Sequence, residues 1–209
     1  MTPIPDPQSS PLTERGSRRR LDLIDAALRL IVKDGHHAVT FRTVAAEAKA
    51  SHGSVNYYFG SRTALMGAAA DDVCRRIATH LEDLAPTLEG IAHDPDRFAA
   101  ALSDHNLRYM IGDRALSIAL YELTLAGARE DGIRDVLVKW GKVHSQLMRN
   151  AFLRLGSDNP EADYAFVLNS LNGLIVAQLA IPRRSFETRI LRPSLLRLVR
   201  SIATPRRAP

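Results

Sequence analysis

Two short helices joined by a tight turn constrain the fold of this chain more than any other feature of its sequence. They fall within residues 40–65, TFRTVAAEAKASHGSVNYYFGSRTAL. Thr40 is the predicted N-cap of the first helix, because its hydroxyl can accept a hydrogen bond from an amide of the first turn. Val44, Ala45 and Ala48 follow at helical spacing and form a narrow apolar face. Such small side chains let another helix approach closely, so the sequence predicts a compact helix pair.

The second helix of the pair is predicted to run from Ser51, a good N-cap, to about Tyr58. A helix this short is not stable by itself. Apart from Val55, which is predicted to face the core, its side chains are mostly polar or aromatic. An exposed helix of this kind can present hydroxyl, amide and phenol groups to the major groove of DNA.

A further helix is predicted directly after the pair, with Ser61 as its N-cap and Arg62 in its first turn. A cation in the first turn opposes the helix dipole. A nearby phosphate would reverse that effect, which again favours a nucleic-acid partner for this segment.

This segment resembles the DNA-binding domain of the TetR family of bacterial transcriptional regulators. The resemblance covers about residues 18–70, and beyond them only the helical layout is similar. The matching positions are Thr40, Arg42, Ala45, Ala48, Ser51, Gly53, Ser54, Val55, Tyr57, Tyr58, Phe59, Ser61, Arg62 and Leu65.

The resemblance implies two different roles for the DNA-binding residues. One group would mainly hold phosphates, namely Thr40, Arg42, Tyr57, Tyr58 and Arg62. A second group would face base edges, namely His52, Gly53, Ser54 and Asn56, and Ser51 is included in the DNA-binding set. Gly53 would let the backbone approach the bases closely, while Val55 and Phe59 are assigned to the core.

Two departures from the family pattern matter, at Lys49 and Asn56. Lys49 stands where the family usually has a turn glycine, so the sequence implies either a lysine in the left-handed conformation, at a cost of about 1 kcal/mol, or a changed turn. Asn56 replaces a common tyrosine of the recognition helix, and Arg62 keeps the charge of a usual lysine.

Charge is unevenly distributed along the 209 residues. The net charge of +5 divides into +3 over residues 1–70, −5 over residues 71–182 and +7 over residues 183–209. A basic N-terminal segment is consistent with a nucleic-acid partner. The basic C-terminal segment has two interpretations, which are added non-specific affinity for DNA and a solvated helix face followed by a disordered end.

The predicted fold class is all-α, in four segments. Residues 1–17 are predicted as a disordered arm, 18–66 as the helix-turn-helix domain, 67–203 as a helical ligand-binding and dimerisation domain, and 204–209 as a disordered tail. Pro86 and Pro182 are predicted to end helices, Gly132 to mark a break between helices, and Pro193 to lie near the start of the last helix.

Several classes of protein are disfavoured by composition. The single cysteine, Cys74, excludes an intramolecular disulfide framework and is interpreted as a buried thiol. There is no run of about 18 apolar residues and no signal-peptide core, so a cytoplasmic protein is expected. Scattered histidines and the lack of a strand–turn–helix context around any serine argue against a metal site and against an enzyme, and no cofactor is predicted.

The helical body contains residue types suited to a small-molecule pocket. The candidate lining residues are His105, Tyr109, Tyr121, Glu122, Trp140, His144 and Met148, together with Met110 and Phe152. A cationic or hydroxylated ligand is expected if Glu122 faces the pocket. For any single one of these side chains, a role in the core is the favoured interpretation.

The resemblance implies a homodimer formed through the last two helices, although the sequence alone also permits ordinary intrachain packing. The expected function is a ligand-responsive repressor that binds double-stranded, palindromic operator DNA. The alternatives are a helical small-molecule-binding protein or enzyme with a vestigial helix-turn-helix, and a regulator without a ligand.

Overall fold

Helices form all the regular secondary structure in residues 13–203, which are the residues described by this computed structural model. The predicted all-α class is therefore confirmed over that range. The chain divides into two compact units, residues 1–69 and residues 70–209. Most of the predicted arm and the predicted tail lie outside the described residues.

The first unit consists of three helices and the start of a fourth. Its elements are α1 (Glu14–Asp34), a 3-10 turn (His36–Ala38), α2 (Phe41–Glu47), α3 (His52–Phe59) and the beginning of α4 (Arg62–Ile91). Helix α1 packs on α2, and α2 packs on α3. The α2–α3 pair is the predicted pair of short helices.

Helix α1 begins earlier than the sequence suggested. The Thr13 side chain accepts a hydrogen bond from the Gly16 amide at 3.2 Å, which caps a helix that starts at Glu14. The predicted disordered arm, which extended to residue 17, is therefore too long. At the other end, α1 stops before Gly35, which has a φ of 81°.

The second unit contains the rest of α4 and five further helices. These are α5 (Pro95–Asn106), α6 (Arg114–Gly127), α7 (Asp131–Leu155), α8 (Pro160–Ala180) and α9 (Arg192–Ile202). A π-helical turn, Leu107–Ile111, follows α5, and another, Glu187–Leu191, precedes α9. Helix α5 packs on α9, and α7 packs on both α6 and α8.

One predicted helix boundary is wrong and another is displaced. Pro86 lies inside α4, which continues to Ile91. A proline removes one backbone donor and can kink a helix without ending it, and here Leu84 and Leu88 on either side are buried in the core. The break predicted at Gly132 does separate two helices, but it falls at residues 128–130, and Gly132 itself lies in the first turn of α7.

Ion pairs between α5 and α9 engage part of the basic C-terminal segment. Arg200 makes a bidentate contact with Asp96, with nitrogen–oxygen distances of 2.8 and 2.6 Å. The hydrogen bond from Arg200 lowers the pKa of the Asp96 carboxyl. Arg192 reaches Asp104 at 2.6 Å. These two arginines therefore join helices within the second unit.

A membrane-crossing helix would have to be both long and apolar. None of the helices within residues 13–203 meets that requirement.

Candidate functional site

The N-terminus of α2 is fixed by two threonines. The Thr40 hydroxyl accepts the Thr43 amide at 3.1 Å, and the Thr43 hydroxyl accepts the Thr40 amide at 2.9 Å. Thr43 also donates to the Ala38 carbonyl at 2.7 Å. Thr40 is therefore the N-cap, as predicted, and it is exposed beside Arg42 of the first turn.

The turn between α2 and α3 depends on Lys49. Its φ is 49°, and it is the one non-glycine residue with a positive φ within residues 13–203. The next amide, that of Ala50, donates to the Ala45 carbonyl at 2.8 Å and closes the end of α2. Of the two possibilities that the sequence left open, a lysine in the left-handed conformation is confirmed, at a strain of about 1–2 kcal/mol.

Helix α3 has one buried face and one exposed face. Ser51 caps it by accepting the Ser54 amide at 3.1 Å. Val55 and Phe59 are buried, as predicted, and Ser54 and Tyr58 are half-buried. The exposed positions recur at helical spacing and form one continuous surface, which comprises His52, Gly53, Asn56 and Tyr57. This surface is hereafter the exposed face of α3.

Gly53 occupies a position that the fold does not require to be glycine. A Cβ atom built there would have Ser51 Oγ as its nearest neighbour, at 3.9 Å. The open space in front of Gly53 is part of the exposed face of α3, so an external molecule can approach the backbone at this point.

Arg62 supports the fold of the first unit. Its Nε donates to the Val39 carbonyl at 2.9 Å, and one terminal nitrogen donates to the His36 carbonyl at 3.0 Å. Both acceptors lie in the segment between α1 and α2. The sequence predicted Arg62 mainly as a phosphate contact, but much of its hydrogen-bonding capacity is already used inside the unit.

The other cations of the first unit fall into two groups. Arg29 pairs with Glu47 at 2.6 Å, and Arg20 lies over the Phe59 ring at 5.2 Å. Arg18, Arg42 and Lys49 are exposed and form no ion pair among the described residues of this unit. Exposed cations of this kind can contact DNA phosphates without rearranging the fold.

The second unit contains a cavity of about 500 Å³ between α4, α5, α6, α7 and α8, which is partly open to solvent where Thr124, Gly141 and Val176 of its wall are exposed. Most of the predicted pocket residues line it. They are His105, Tyr121, Trp140, His144 and Met148, with Met110 and Phe152. The sequence analysis missed Cys74, Asn106 and Asn172, which also line the cavity. Asn172 lies among apolar residues in the second half of α8, but the sequence does not distinguish it from Asn169 of the same helix.

Tyr109 and Glu122 do not line the cavity, contrary to prediction. The Tyr109 ring stacks on His80, with ring centroids 3.9 Å apart. The π-helical turn after α5 shifts the register, so that Met110, five residues after His105, takes the cavity-facing position. Glu122 follows cavity-lining Tyr121 on α6, and adjacent helical residues point in directions about 100° apart.

Three hydrogen bonds organise the polar groups around the cavity. The Tyr121 hydroxyl donates to Asn172 Oδ1 at 3.2 Å and joins α6 to α8. The Trp140 ring nitrogen donates to Asp71 Oδ1 at 2.8 Å, and His144 Nε2 lies 3.2 Å from the Cys74 carbonyl, so both join α7 to α4. Because a carbonyl can only accept, His144 Nε2 carries the proton.

Burial keeps the ionisable groups of the cavity wall uncharged. It lowers the pKa of His105 to about 4, and the charges of His80 and Arg108 act in the same direction. Burial also lowers the pKa of His144, against an opposing effect of its hydrogen bond to Cys74. The pKa of Cys74 is raised to about 12 by burial and by Asp71, so this thiol is unreactive at neutral pH, in agreement with the predicted buried thiol.

Comparison with known sequences identifies both units. The sequence model of the family described as "Bacterial regulatory proteins, tetR family" matches residues 23–69, and the model "Tetracyclin repressor-like, C-terminal domain" matches residues 93–204. The chain belongs to the TetR family. It is a DNA-binding transcriptional regulator, and the α2–α3 pair lies within the part that matches the TetR N-terminal model.

Relatives of known function and known structure agree with this membership. The nicotine-responsive transcriptional repressor HdnoR of Paenarthrobacter nicotinovorans is 32% identical over 134 residues, which cover 62% of this chain and 67% of HdnoR. The multidrug binding protein EbrR complexed with imidazole superposes with a TM-score of 0.67 at 27% identity, covering 90% of this chain and 96% of EbrR. EbrR complexed with ethidium gives a TM-score of 0.68 at 28% identity, over 86% and 98% of the two chains.

No group of three or more His, Cys, Asp or Glu side chains suited to a metal ion occurs within the described range.

Proposed function

We propose that this TetR-family regulator is a repressor that binds a palindromic operator as a homodimer and releases it when a small molecule occupies the cavity of the second unit. The observation that carries the proposal is the polar and aromatic exposed face of α3, built on a helix pair whose caps and turn are complete. The related HdnoR is named as a nicotine-responsive repressor, which supports both the sign of regulation and the response to a ligand.

The exposed face of α3 is proposed to enter the major groove. His52, Gly53 and Asn56 would then meet base edges, and Tyr57 would reach the backbone. The hydroxyls of Thr40 and Ser51 remain exposed at the helix ends, where they can bind phosphates in addition to capping.

Ser54 and Tyr58 are half-buried at the border of the exposed face of α3, so they are proposed as secondary contacts. Arg42 is the first proposed phosphate ligand, since it is exposed and has no ion pair among the described residues. Arg62 is proposed to act mainly by holding the segment between α1 and α2.

Dimerisation is proposed through α8 and α9. Helix α8 carries exposed apolar side chains that its own unit leaves uncovered, with Phe166 at 51% and Val176 at 44% exposure. A helix that is apolar on several faces is buried on more than one side in the functional assembly. A twofold dimer would place two recognition helices on half-sites separated by about one helical turn or a multiple of it.

Ligand control is proposed to pass through α4. Residues Cys74, Ile77 and Leu81 of this helix line the cavity, and the same helix begins in the first unit at Arg62. A ligand that fits one tilt of α4 better than another would shift the population away from the DNA-binding form. The neighbour EbrR has been crystallised with imidazole and ethidium, which supports a ligand-binding role for this cavity. Ethidium is a permanent cation, so the charge preference of the present cavity has to be derived from its own wall.

The alternative of an enzyme with a vestigial helix-turn-helix receives no support from the residues that suggested it. Lys49 adopts the left-handed turn and keeps the α2–α3 pair intact, and Asn56 lies on the exposed face of α3. The protein is therefore proposed to act as a cytoplasmic regulator without catalytic activity.

The decisive experiment is a fluorescence anisotropy titration on DNA from directly upstream of the gene, with a random duplex as control. We expect tight, sequence-dependent binding whose logarithm falls linearly with the logarithm of salt concentration. The slope should correspond to several phosphate contacts. Weak binding that is equal on both duplexes, followed by failure to select any preferred site from random DNA, would contradict the proposal.

A further inference from the structure

The cavity wall carries no formal charge. Within the part of the chain that the structure describes, no Asp, Glu, Lys or Arg lines the cavity. The sequence had suggested a cationic or hydroxylated ligand on the condition that Glu122 faced the pocket, and Glu122 does not line it. The chemistry of the cavity must therefore be derived from neutral side chains.

The carboxylate bonded to Trp140, that of Asp71, is partly compensated. Asp71 accepts the Trp140 ring N–H at 2.8 Å and also has Lys139 Nζ at 3.9 Å. The same Lys139 ammonium lies 5.7 Å from the centre of the Trp140 ring. A cation that approached the Trp140 face would therefore meet a ring already associated with a positive charge.

The two imidazoles of the wall are held in their neutral form. His105 is packed against the Tyr109 ring, at a centroid distance of 5.0 Å, and its burial disfavours the imidazolium. His144 carries its proton on Nε2, which faces the Cys74 carbonyl, so Nδ1 is left as an acceptor. Neither histidine supplies the charge needed to neutralise an ionic ligand.

We infer that this cavity binds an uncharged, largely apolar organic molecule of drug-like size and rejects permanent cations and anions. The inference rests on the proposed function, in which the cavity is the effector site. A volume of about 500 Å³ lies within the usual range for small-molecule sites. Aromatic walls from Tyr121, Trp140 and Phe152 favour a flat ligand.

A few polar atoms can fix the orientation of such a ligand. Asn172 accepts the Tyr121 hydroxyl through its oxygen, so its amide nitrogen remains as a donor. Asn106 donates to the Leu102 carbonyl at 2.8 Å and keeps its oxygen as an acceptor. With His144 Nδ1, these groups provide both donors and acceptors, so a neutral molecule with one or two hydrogen-bonding groups matches the site better than an ion.

Charge rejection follows from desolvation. An ion that bound against the buried part of the wall would lose much of its hydration shell, and no opposite charge in the wall would replace it. A neutral molecule of the same shape would lose little hydration free energy and would gain apolar contacts with the wall.

The test compares two probes of nearly equal shape on the full-length protein. Acridine is uncharged in mildly alkaline buffer, and N-methylacridinium has the same fused rings with a permanent positive charge. We expect the wild-type protein to bind acridine more tightly by about tenfold or more, measured by equilibrium fluorescence or calorimetry. 1-Anilinonaphthalene-8-sulfonate against N-phenyl-1-naphthylamine provides the corresponding comparison for an anion.

A carboxylate introduced into the wall should reverse the preference. Asn172→Asp keeps the shape of the side chain that meets Tyr121, and Thr124→Asp places a carboxylate at an exposed part of the wall, where it stays ionised. Each is expected to raise the affinity for N-methylacridinium by about tenfold. The matched control is Asn169→Asp, which makes the same change at an exposed position of α8 outside the cavity wall.

Several results would overturn the inference. The first is that the wild type binds N-methylacridinium as tightly as acridine, or more tightly. The second is that Asn169→Asp raises the affinity for N-methylacridinium as much as Asn172→Asp does. Binding of neither acridine nor N-phenyl-1-naphthylamine would also overturn it. In that case, retained operator binding by the same preparation would show that the DNA-binding part of the proposed function still stands.

Discussion

At the residue scale, Gly53 is a position where glycine is expected to matter for DNA binding and not for folding. We expect Gly53→Ala to keep or raise the stability of the first unit, because its Cβ has only Ser51 Oγ nearby, at 3.9 Å, and alanine is favoured in helices by up to about 1 kcal/mol. Operator affinity should fall by about tenfold, because a methyl group would then stand between α3 and the bases. Thermal unfolding and anisotropy measure the two effects separately.

The control for Gly53→Ala is Gly90→Ala. Gly90 is exposed on α4, and no atom lies within 4 Å of a Cβ built there. This variant should gain similar helix stability without any change in operator affinity. Unchanged DNA binding in Gly53→Ala would remove Gly53 from the interface.

Truncation of Arg62 should mainly lower the stability of the first unit, whereas truncation of Arg42 should mainly weaken DNA binding. Arg62→Ala removes a charged donor from the Val39 carbonyl and is expected to destabilise the first unit by about 1–3 kcal/mol in chemical denaturation. Arg42→Ala should change stability by less than about 0.5 kcal/mol. Its effect should appear in DNA binding, where the salt slope falls by about one. If Arg62→Ala lowered the salt slope and left stability intact, the supporting role would be wrong.

The difference between these arginines shows which residue roles can be predicted from sequence. Thr40, Ser51 and Ser61 were predicted correctly as caps, because a cap bonds an amide only a few residues away. The partners of Arg62 are 23 and 26 residues distant. A contact of that kind depends on the fold, so the sequence alone indicated only the charge.

At the element scale, α5 shows the limit of helical periodicity. A regular 3.6-residue repeat places Tyr109 on the same face as His105, and this was the basis of its assignment to the pocket. The π-helical turn over Leu107–Ile111 changes the repeat and brings Met110 to the cavity instead. Pro86 gives a second example, since packing of its neighbours maintains α4 through a residue that disfavours helix.

The burial of His105 makes the stability of the second unit dependent on pH. The pKa in the folded state is about 4, below the ordinary value of 6.5, so the unfolded chain binds the proton more readily. Stability should therefore be lost as the pH falls from about 6.5 towards 4, by at most about 1.4 kcal/mol per pH unit from this residue. His105→Gln should flatten this part of the profile in denaturant titrations.

The matched control is His93→Gln, at an exposed position immediately before α5. It should leave the pH profile of the wild type unchanged. An equal slope in the wild type and His105→Gln would mean that other groups cause the acid sensitivity.

At the scale of the whole molecule, the exposed apolar side chains of α8 predict the mode of assembly. Phe166→Glu is expected to convert the proposed dimer into a monomer, since an uncompensated charge would enter a buried interface. Light scattering after size exclusion measures the mass directly. Val138→Glu on α7 is the control, because Val138 is 54% exposed and Phe166 is 51% exposed. Dimers in Phe166→Glu, or monomers in Val138→Glu, would point to a different interface.

The order of the helices and the existence of two units followed from caps, breaks and apolar spacing, all of which are local signals. The arrangement of α4–α8 around a cavity did not, because a void depends on how side chains from five helices fail to fill the space between them. The resemblance to the TetR family supplied that expectation. His105, Tyr121, Trp140, His144 and Met148 do lie in the wall, and aromatic and soft side chains are typical of such walls. That they bind a ligand stays a prediction.

Trp140 is the only tryptophan in the sequence, and it stands in the wall of the cavity with its ring nitrogen bonded to Asp71. All indole fluorescence of the protein therefore originates at the proposed effector site. A molecule that binds in the cavity would quench the tryptophan emission or shift its wavelength maximum. Neither the protein nor the molecule would need a label. Compound collections can therefore be screened for binders by the tryptophan fluorescence of the unlabelled protein, before its operator is known.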